Sequence, residues 1–375
     1  STSTGTCCLH PIRGRVSHSS KAYSFPLTGR GSGLKPRKLL ILAEGFSADP
    51  HHGKTARGVI RYRPDDVVAI LDTERAAGDT QDGLPIVRSL DEARQYGPTT
   101  ALVGVATTGG RFPPAWRELL KDCIRAGLDL ESGLHEFISD DPELVELARE
   151  HGVELRDLRK PPQGLNVPTG ANLTHGATTV LTVGSDCAIG KMTVSLELDR
   201  EARRRGIKSE FVPTGQTGIA IAGWGISVDA VVSDFIAGAA EQLVVEGAER
   251  GGELLLVEGQ GSLLHPYYSG VTLGLIHGSA PHGYVLCHKA GERFVEGDAR
   301  FVIPPLSELA DLHARMSLLA RPARVLAIAL NTRDLDEAAA RRAVEETEAE
   351  TGLPADDPVR FGAGKLVDAL EYRSS

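Results

Sequence analysis

The 375-residue sequence lacks any apolar segment long enough to cross a membrane. Its apolar runs, such as Leu254–Val257, fall far short of the roughly 18–20 residues that a membrane span needs. It also lacks an excess of basic charge, because 41 Lys and Arg stand against 50 Asp and Glu and give a net charge of −9. An acidic balance disfavours general electrostatic attraction to nucleic acid. We therefore expect neither a membrane nor a nucleic acid as partner.

Paired cysteines and aromatic residues are also scarce. The five cysteines are odd in number and show no repeated C-x-x-C spacing, which argues against a disulfide framework and a zinc site and favours a reducing cytoplasm. Residues 1–36 are rich in Ser, Thr, Gly and basic residues without the apolar segment of a secretory signal, and they are predicted to form a flexible tail. The aromatic content of 5% favours a small polar acceptor.

Apolar strand patterns alternate with amphipathic helix patterns along the rest of the chain, which predicts α/β sheets. Strands are predicted at residues 38–42, 67–71, 83–87, 100–106, 178–183, 209–212, 253–257, 283–287 and 324–330. Helices are predicted at residues 90–96, 115–126, 142–150, 191–205, 234–249, 307–319 and 336–350. The prolines within residues 160–164 mark the best domain boundary. The sequence thus predicts an N-terminal Rossmann-like domain, residues 37–160, and a C-terminal P-loop NTPase-like domain with a mainly parallel sheet, residues 165–375.

A glycine-bounded loop follows the predicted strand 178–183 and leads into a helix. Such a loop directs backbone N–H groups at an anion beside a helix N-terminus, and a lysine completes the cradle. A purely structural turn is the alternative, but the order of strand, loop, Gly-Lys and helix argues against it. The residues predicted to bind the phosphates of a cofactor are Gly184, Ser185, Asp186, Cys187, Ala188, Ile189, Gly190, Lys191, Met192 and Thr193.

This loop has one residue more between its glycines than the usual P-loop and an aspartate two positions after the first glycine. In both respects it resembles dethiobiotin synthetase and the cobyrinic-acid amidotransferase relatives. The segment Val257-Glu258-Gly259 looks like their magnesium-directed glutamate segment, and Asp186 and Glu258 would be the metal ligands of an ATP-dependent enzyme. Met192 departs from the pattern, because a Ser or Thr hydroxyl normally holds Mg²⁺ there, and Thr193 lies about 100° further round the helix. Such a loop suits binding of a diphosphate without cleavage.

The N-terminal domain carries a second pattern. Val67-Val-Ala-Ile-Leu-Asp72, followed by Asp82-Gly-Leu-Pro-Ile-Val87, resembles the CoA-binding Rossmann-like domain of succinyl-CoA synthetase. The alternative is a structural domain in which Asp72 only caps the next turn. Gly53-Lys54-Thr55 looks like half a P-loop, and Lys54 is either a weaker anion contact or a solvated charge.

Six segments along the chain recur together in one family. They are Ile41-Leu-Ala-Glu-Gly45, His52-Gly-Lys-Thr-Ala56, Ser132-Gly-Leu-His-Glu136, Pro213-Thr-Gly-Gln-Thr-Gly218, His277-Gly-Ser-Ala-Pro281 and Asp357-Pro-Val-Arg-Phe-Gly362. Over roughly residues 38–370 the chain resembles the two-domain P-loop family, formerly of unknown function, that includes D-glutamate N-acetyltransferase. The resemblance implies acetyl-CoA-dependent acylation of the α-amine of an amino acid.

Polar residues after the predicted strands are candidates for substrate binding, because α/β sheets bind ligands at the carboxyl ends of their strands. Thr214, Gln216, Thr217 and Gln260 are predicted to bind the substrate, and a structural turn at residues 213–218 is the alternative. Asp229 or Asp234 could recognise or deprotonate an ammonium group. Asp234 could equally cap a helix.

Histidines supply further candidates, since an imidazole with its ordinary pKa of about 6.5 suits a base for an amine. His265, His277 and His282 lie in a Gly/Ser/Pro-rich stretch, and His135 is similar. Cys187 could accept an acyl group, but a small side chain that fits the turn is the favoured interpretation. The residues predicted to be catalytic are Asp229, Asp234, Glu258 and His282.

Three functional hypotheses follow. The leading one is an N-acetyltransferase that binds acetyl-CoA at residues 184–193 and a small amino acid such as D-glutamate as acceptor. The alternative is an ATP- and Mg²⁺-dependent ligase or kinase of the dethiobiotin synthetase type, with Lys191 on the phosphates. The third is a nucleotide or CoA sensor without catalysis. We expect the active site in the P-loop domain, facing the interdomain cleft of a cytoplasmic homo-oligomer.

Overall fold

The computed structural model describes residues 37–48, 53–76, 78–105, 110–113 and 115–370. The predicted flexible tail, residues 1–36, lies outside the described residues. Two mainly parallel sheets, each with helices, account for the rest, which confirms the predicted α/β class.

The N-terminal half is built on a seven-stranded sheet among the described residues. Its strands are β1 (Leu39–Leu42), β2 (Val67–Leu71), β3 (Thr80–Gln81), β4 (Leu84–Val87), β5 (Thr100–Val103), β6 (Asp129–Ser132) and β7 (Leu155–Asp157). They lie in the order β3-β4-β2-β1-β5-β6-β7, and β3 pairs antiparallel with β4 while the other described pairs are parallel. The central strands β1 and β5 are apolar and buried throughout, as expected of parallel strands covered on both faces.

The C-terminal half is built on a six-stranded sheet whose described pairs are all parallel. Its strands are β8 (Thr178–Gly184), β9 (Ser209–Val212), β10 (Leu254–Val257), β11 (Gly283–Lys289), β14 (Arg324–Asn331) and β15 (Ala355–Asp356). They lie in the order β15-β14-β11-β8-β10-β9. A separate antiparallel hairpin consists of β12 (Phe294–Val295) and β13 (Asp298–Val302).

Helices connect the strands. They are α1 (Lys54–Tyr62), α2 (Leu90–Ala93), α3 (Trp116–Arg125), α4 (Pro142–His151), α5 (Lys191–Arg204), α6 (Gln216–Ala222), α7 (Ile236–Glu249), α8 (Ser269–Ser279), α9 (Leu306–Arg315), α10 (Glu337–Thr351) and α11 (Gly364–Asp368). The polar start signals act as expected at α4, where the Asp141 side chain accepts hydrogen bonds from the N–H groups of Glu143 and Leu144. None of the helices in these described ranges is long and apolar enough to cross a bilayer.

The two halves share one hydrophobic core cluster. Leu196 of α5, Phe211 of β9 and Ile219 of α6 belong to the same buried cluster as the strands of the first sheet. Helix α1 packs against α6, and Thr55 Oγ1 lies 2.9 Å from Thr217 Oγ1 across this contact. Because α6 begins just after β9 ends, the carboxyl edge of the second sheet faces the N-terminal half.

Candidate active site

Three strands bring their carboxyl ends together in the second sheet. Strand β10 lies between β8 and β9, and the register pairs Val257 with Leu181 on one side and with Val212 on the other. Glu258, which follows β10, therefore lies beside the end of β9. Strand β8 continues to Gly184, where the glycine-bounded loop begins.

This loop has the geometry of an anion cradle. Gly190 precedes α5 with φ +111°, a conformation that residues with side chains rarely adopt. Lys191 begins the helix, is 6% exposed, and donates from Nζ to the carbonyl oxygen of Asp186 at 2.6 Å. Burial lowers the pKa of Lys191. An anion at this helix N-terminus would compensate the buried ammonium, so the arrangement favours a phosphate group.

Asp186 is fixed by hydrogen bonds to the backbone. Its carboxylate accepts from the N–H of Cys187 at 2.6 Å and from the N–H of Glu296 at 2.5 Å. Glu296 joins β12 to β13, so the hairpin contacts the loop directly. Asp186 thus stabilises the loop, whatever else it binds.

A metal ion would need ligands that come together. Among the described residues, the group of three potential ligands within 4.8 Å of one another is Asp186, Cys187 and His265. This group does not include Glu258, the second ligand expected of an ATP-dependent enzyme. His265 Nδ1 accepts a hydrogen bond from the N–H of Tyr267 at 3.3 Å, so this nitrogen is already engaged within the protein.

Met192 and Thr193 face the N-terminal half. Met192 packs against the core cluster that contains the first sheet, and its Cε would lie 3.7 Å from a Cβ added at Gly58 of α1. Thr193 hydrogen-bonds to Tyr62 of the same helix. The position that usually supplies a hydroxyl for Mg²⁺ is therefore used for packing between the two halves.

Glu258 is a buried carboxylate at this edge and is 6% exposed. Its Oε2 accepts hydrogen bonds from the N–H groups of Thr214 at 3.0 Å and Gly215 at 3.2 Å. Burial raises the pKa of Glu258 to about 7, although both N–H groups and the ammonium of Lys54 act in the opposite direction. A carboxylate with a pKa near neutrality can accept a proton and release it again, which is the property of a general base.

Neighbouring residues hold Glu258 in place. Thr214 Oγ1 donates to the carbonyl oxygen of Glu258 at 2.8 Å, and Gln260 Nε2 donates to the carbonyl oxygen of Thr214 at 2.6 Å. A Cβ at Gly218 would lie 2.4 Å from Glu258 Oε2, so this position requires glycine. The Thr214 hydroxyl and the Gln260 side-chain amide therefore form hydrogen bonds within the protein, as does the Thr217 hydroxyl. Substrate binding by Thr214, Thr217 and Gln260 stays a prediction.

Gln216 connects this edge to the N-terminal half. Its Oε1 accepts from Arg159 Nη1 at 3.0 Å, and Arg159 Nη2 donates to Asp229 Oδ2 at 2.7 Å. Val228, the residue before Asp229, donates from its N–H to the carbonyl oxygen of Thr214 at 2.9 Å, and the N–H of Thr214 bonds to Glu258 Oε2. We call Arg159, Gln216, Asp229 and Glu258 the interdomain polar cluster. The structure thus brings together two of the predicted catalytic residues, Asp229 and Glu258, with the predicted substrate residue Gln216.

Lys54 brings a further positive charge from the N-terminal half. It is the exposed first residue of α1, the helix that packs against α6. Burial has the largest effect on the pKa values of Glu258, Cys187 and Lys191. The ammonium charge of Lys54 also acts on all three, because it favours the ionised forms of Glu258 and Cys187 and disfavours the charged form of Lys191. Lys54 therefore lies near both the loop and the cluster, and its role as an anion contact stays a prediction.

His282 lies at the wrong end of the sheet, which corrects its prediction as a catalytic residue. The ring Nδ1 of His282 accepts a hydrogen bond from the backbone N–H of Thr179 at 3.0 Å, and the backbone N–H of His282 donates to the carbonyl oxygen of Thr179 at 2.7 Å. Thr179 is near the amino end of β8, whereas the loop follows the carboxyl end at Gly184. An extended strand separates the two by roughly 17 Å.

Asp234 also lies apart from the cluster. It sits in the exposed turn Ser233–Phe235 before α7, whose N-cap is Phe235 with no side-chain capping bond. No hydrogen bond among the described residues joins Asp234 to Glu258 or Asp229. The structure therefore supports neither a catalytic nor a capping role for it.

Of the other candidates from the sequence, some lie near the loop or the interdomain polar cluster and others do not. His277 lies in α8 with Nε2 3.1 Å from the carbonyl oxygen of Met316. His265 lies beside the loop. His135 lies near Arg159 and Asp229; burial lowers its pKa, and the charges of these two residues also act on it. Burial raises the pKa of Cys187, which argues against a reactive thiolate.

Arg159 is the cluster residue that sequence reasoning missed. It follows β7, a three-residue strand of mixed polarity that no apolar pattern reveals. Its place directly before the proline-rich boundary was the available signal, since residues after a strand end often bind ligands. Nothing in the sequence shows that it reaches Gln216 across the two halves.

Fold and site together define a two-part α/β protein with a P-loop and a buried glutamate at adjoining strand ends. The chain belongs to the DUF1611 family. The model of the family's C-terminal P-loop domain matches residues 166–367, and that of its N-terminal Rossmann-like domain matches residues 71–161. Both are described as domains of unknown function. This confirms the predicted family.

Relatives and a solved structure agree with this membership. Proteins named D-glutamate N-acetyltransferase from Tritonibacter scottomollicae and a Pseudoalteromonas species are 38% and 33% identical over 331 and 338 residues. The alignments cover 88% and 90% of this chain and 97% and 99% of the relatives. The crystal structure of a DUF1611 family protein from Anabaena variabilis ATCC 29413 is similar with a TM-score of 0.82 at 41% identity, covering 89% of this chain and 99% of that one.

Proposed function

We propose that this protein is an N-acetyltransferase that moves the acetyl group of acetyl-CoA to the α-amine of a small amino acid, with D-glutamate as the acceptor. The observation that carries the proposal is the similarity to two proteins named D-glutamate N-acetyltransferase over about nine-tenths of the chain. The buried Glu258 beside Asp229 and Arg159 supports it, because amine acylation needs a base next to groups that recognise an amino acid.

Glu258 is the proposed general base. The α-ammonium of the acceptor must lose a proton before its nitrogen can attack, and a carboxylate with a pKa of about 7 accepts that proton near neutral pH. The nitrogen then forms a bond to the thioester carbonyl carbon and gives up a second proton, the carbon–sulfur bond breaks, and CoA leaves as a thiolate that takes up this proton. The N–H groups of Thr214 and Gly215 keep Glu258 in place during this exchange.

The loop from Gly184 to Thr193 is the proposed site for the diphosphate of acetyl-CoA. The N-terminus of α5 and the buried ammonium of Lys191 both attract negative charge. Met192 packs against α1 where a kinase would place a hydroxyl for Mg²⁺. This loop therefore suits a phosphate group that is bound and not transferred.

The test is one reaction mixture analysed by mass spectrometry. Acetyl-CoA and a pool of D- and L-amino acids are incubated with the full chain, with and without EDTA. We expect N-acetyl-D-glutamate and free CoA in equal amounts, unchanged by EDTA. Absence of any N-acetyl amino acid would overturn the proposal.

Lys191→Ala tests the donor site. We expect the KM for acetyl-CoA to rise about 10-fold or more while the KM for the acceptor changes little, because a charge-assisted hydrogen bond is worth about 1.5–3 kcal/mol. Lys208→Ala is the matched control, since Lys208 is an exposed lysine paired with Glu253. Equal effects of the two changes would argue against the loop as donor site.

An ATP- and Mg²⁺-dependent ligase or kinase is the second candidate, favoured by the loop and by Glu258 at the end of the neighbouring strand. It requires acceptor-dependent release of ADP that EDTA abolishes. Met192→Ser restores the usual hydroxyl, and we expect it to yield no such release and to cost about 1–3 kcal/mol of stability through lost packing. EDTA-sensitive ADP release by the unaltered chain would favour the ligase.

A further inference from the structure

The ion pair between Arg159 and Asp229 is one of the contacts that join the two halves. The Arg159 side chain is 5% exposed, whereas that of Asp229 is 30% exposed. Arg159 Nη1 and Nη2 bond to Gln216 and Asp229, but the buried Nε has no hydrogen-bond partner among the described residues. One donor of a buried charge is thus left unsatisfied.

Such a donor is costly, because a buried charged group normally has all its hydrogen bonds made. The planar guanidinium presents Nε and an Nη together to a carboxylate, which it binds through two parallel hydrogen bonds. The partly exposed carboxylate of Asp229 can accept further hydrogen bonds from an ammonium group. The pair therefore holds an unsatisfied donor for an anion beside a partly exposed acceptor for a cation, and an anion reaches the buried donor once neighbouring side chains at this contact move aside.

We propose that Arg159 and Asp229 bind the charged head of the acceptor amino acid, with its α-carboxylate on Arg159 and its α-ammonium on Asp229. This inference rests on the proposed function and names the residues that select its acceptor. An α-amino acid carries these two charges on one carbon, so it matches the pair in sign.

The position of the pair places a bound ammonium beside the base. Gln216, which bonds to Arg159, directly follows Gly215, whose N–H bonds to Glu258. Asp229 follows Val228, whose N–H donates to the carbonyl oxygen of Thr214 at 2.9 Å, and the N–H of Thr214 in turn bonds to Glu258. Because Arg159 belongs to the N-terminal half and Asp229 to the C-terminal half, the acceptor site is complete only where the halves meet.

Arg156 provides the matched control for a purely structural role. It lies three residues earlier, pairs with Glu131, and donates from Nη2 to the carbonyl oxygen of Gly223 in the other half at 2.6 Å. It therefore also joins the two halves, but through a backbone carbonyl outside the interdomain polar cluster. A change that acts only by loosening this contact should affect Arg156→Gln and Arg159→Gln alike.

The experiment compares both variants in steady-state kinetics and in calorimetric binding of D-glutamate. For Arg159→Gln we expect the KM and the Kd for D-glutamate to rise about 10- to 100-fold, with the KM for acetyl-CoA changed less than about threefold. The α-carboxamide of D-glutamate should bind the unaltered chain weakly and lose little more in the variant. Arg159→Lys keeps the charge and loses the paired donors, so its Kd for D-glutamate should lie between those of the unaltered chain and Arg159→Gln. This variant replaces Arg159→Gln in the experiment if Arg159→Gln does not fold.

Asp229→Asn separates the two charges. It should weaken D-glutamate but leave glutarate, which has no ammonium, binding as before. Unchanged Kd values for D-glutamate in Arg159→Gln and Arg159→Lys would overturn the inference, as would equal losses in Arg156→Gln. Binding of D-glutamate that depends on Arg159 without any acetyl transfer would instead overturn the proposed function and leave this site standing.

Discussion

Two buried glutamates in the C-terminal half differ in how their carboxylates are held. Glu241 of α7 and Glu258 are each 6% exposed. Glu241 accepts four hydrogen bonds, which come from the N–H groups of Thr169, Gly170 and Asn172 and from the Thr169 hydroxyl. Glu258 accepts two, both on Oε2.

This difference reverses the direction of the pKa shift. Burial alone raises the pKa of a carboxyl group, but the hydrogen bonds to Glu241 outweigh it and lower its pKa. At Glu258 burial outweighs two N–H groups and Lys54, and the pKa rises to about 7. The low exposure of the side chain therefore does not distinguish a candidate base from a structural anchor, whereas the deeper position of the Glu258 carboxyl group and its fewer hydrogen bonds together do.

Replacing each of the two glutamates separately is the strongest test of this comparison. Glu258→Gln removes the proposed base and should lower kcat/KM for acetyl transfer by about 10²- to 10⁴-fold with little change in the melting temperature. Glu241→Gln should leave kcat/KM within a few-fold of the unaltered chain. Rates are measured with saturating acetyl-CoA and varied D-glutamate. Similar activity losses in the two variants would erase the distinction.

The pH dependence of the acetyl-transfer rate is a second test of the difference between Glu258 and Glu241. Glu258 accepts a proton only when ionised, so kcat/KM should fall about tenfold for each pH unit below about 7 and level off above it. Glu241 stays ionised throughout this range because its pKa is lowered. The Glu241→Gln profile should therefore match that of the unaltered chain, and the residual activity of Glu258→Gln should lose this limb.

The sequence predicted the fold wherever a strand is an uninterrupted apolar run. Strands β1, β2, β10 and β14 follow such runs, and their alternation with helices indicated the parallel sheets. The short strands β6 and β7 were missed, because their polar residues break the pattern. Helix α6 was interpreted as a loop since it begins with a Gly-Gln-Thr-Gly segment, and its helical state depends on packing against α1.

The site was predictable as far as it follows from local motifs. The loop between β8 and α5 and Glu258 after β10 lie within segments that carry their own signals. Arg159 lies 99 residues before Glu258 in the chain, and its contact with Gln216 depends on how the two halves pack. His282 shows the converse error, since its neighbours in sequence suggested a loop near the site while the strand direction places it at the opposite edge.

Glu241→Gln should be the destabilising member of the pair. The amide that replaces the carboxylate presents N–H donors to backbone N–H groups, so hydrogen bonds are lost and the segment 169–172 loses its anchor on α7. We expect a loss of about 1–3 kcal/mol in the free energy of unfolding, measured by urea titration at pH 7. Glu258→Gln should lose less than this or gain stability, because it no longer buries an ionisable group. A larger loss in Glu258→Gln would contradict the assignment of structural and reactive roles.

The last comparison is the pH dependence of stability, which has opposite signs at the two sites. Glu258 in the folded chain keeps its proton up to about pH 7, whereas the unfolded group releases it near 4.5, so the folded state binds more protons between these values and its stability falls as pH rises. The shift corresponds to on the order of 3 kcal/mol. Glu241 contributes stability that is present above pH 4.5 and is lost as pH falls through its lowered pKa. Urea titrations from pH 4 to 8 should therefore show Glu258→Gln gaining on the unaltered chain as pH rises, while Glu241→Gln keeps a constant deficit above pH 5. Parallel curves for Glu258→Gln and the unaltered chain would mean that Glu258 is ionised in the folded state at all these pH values, and its claim to act as a base near neutrality would fail with them.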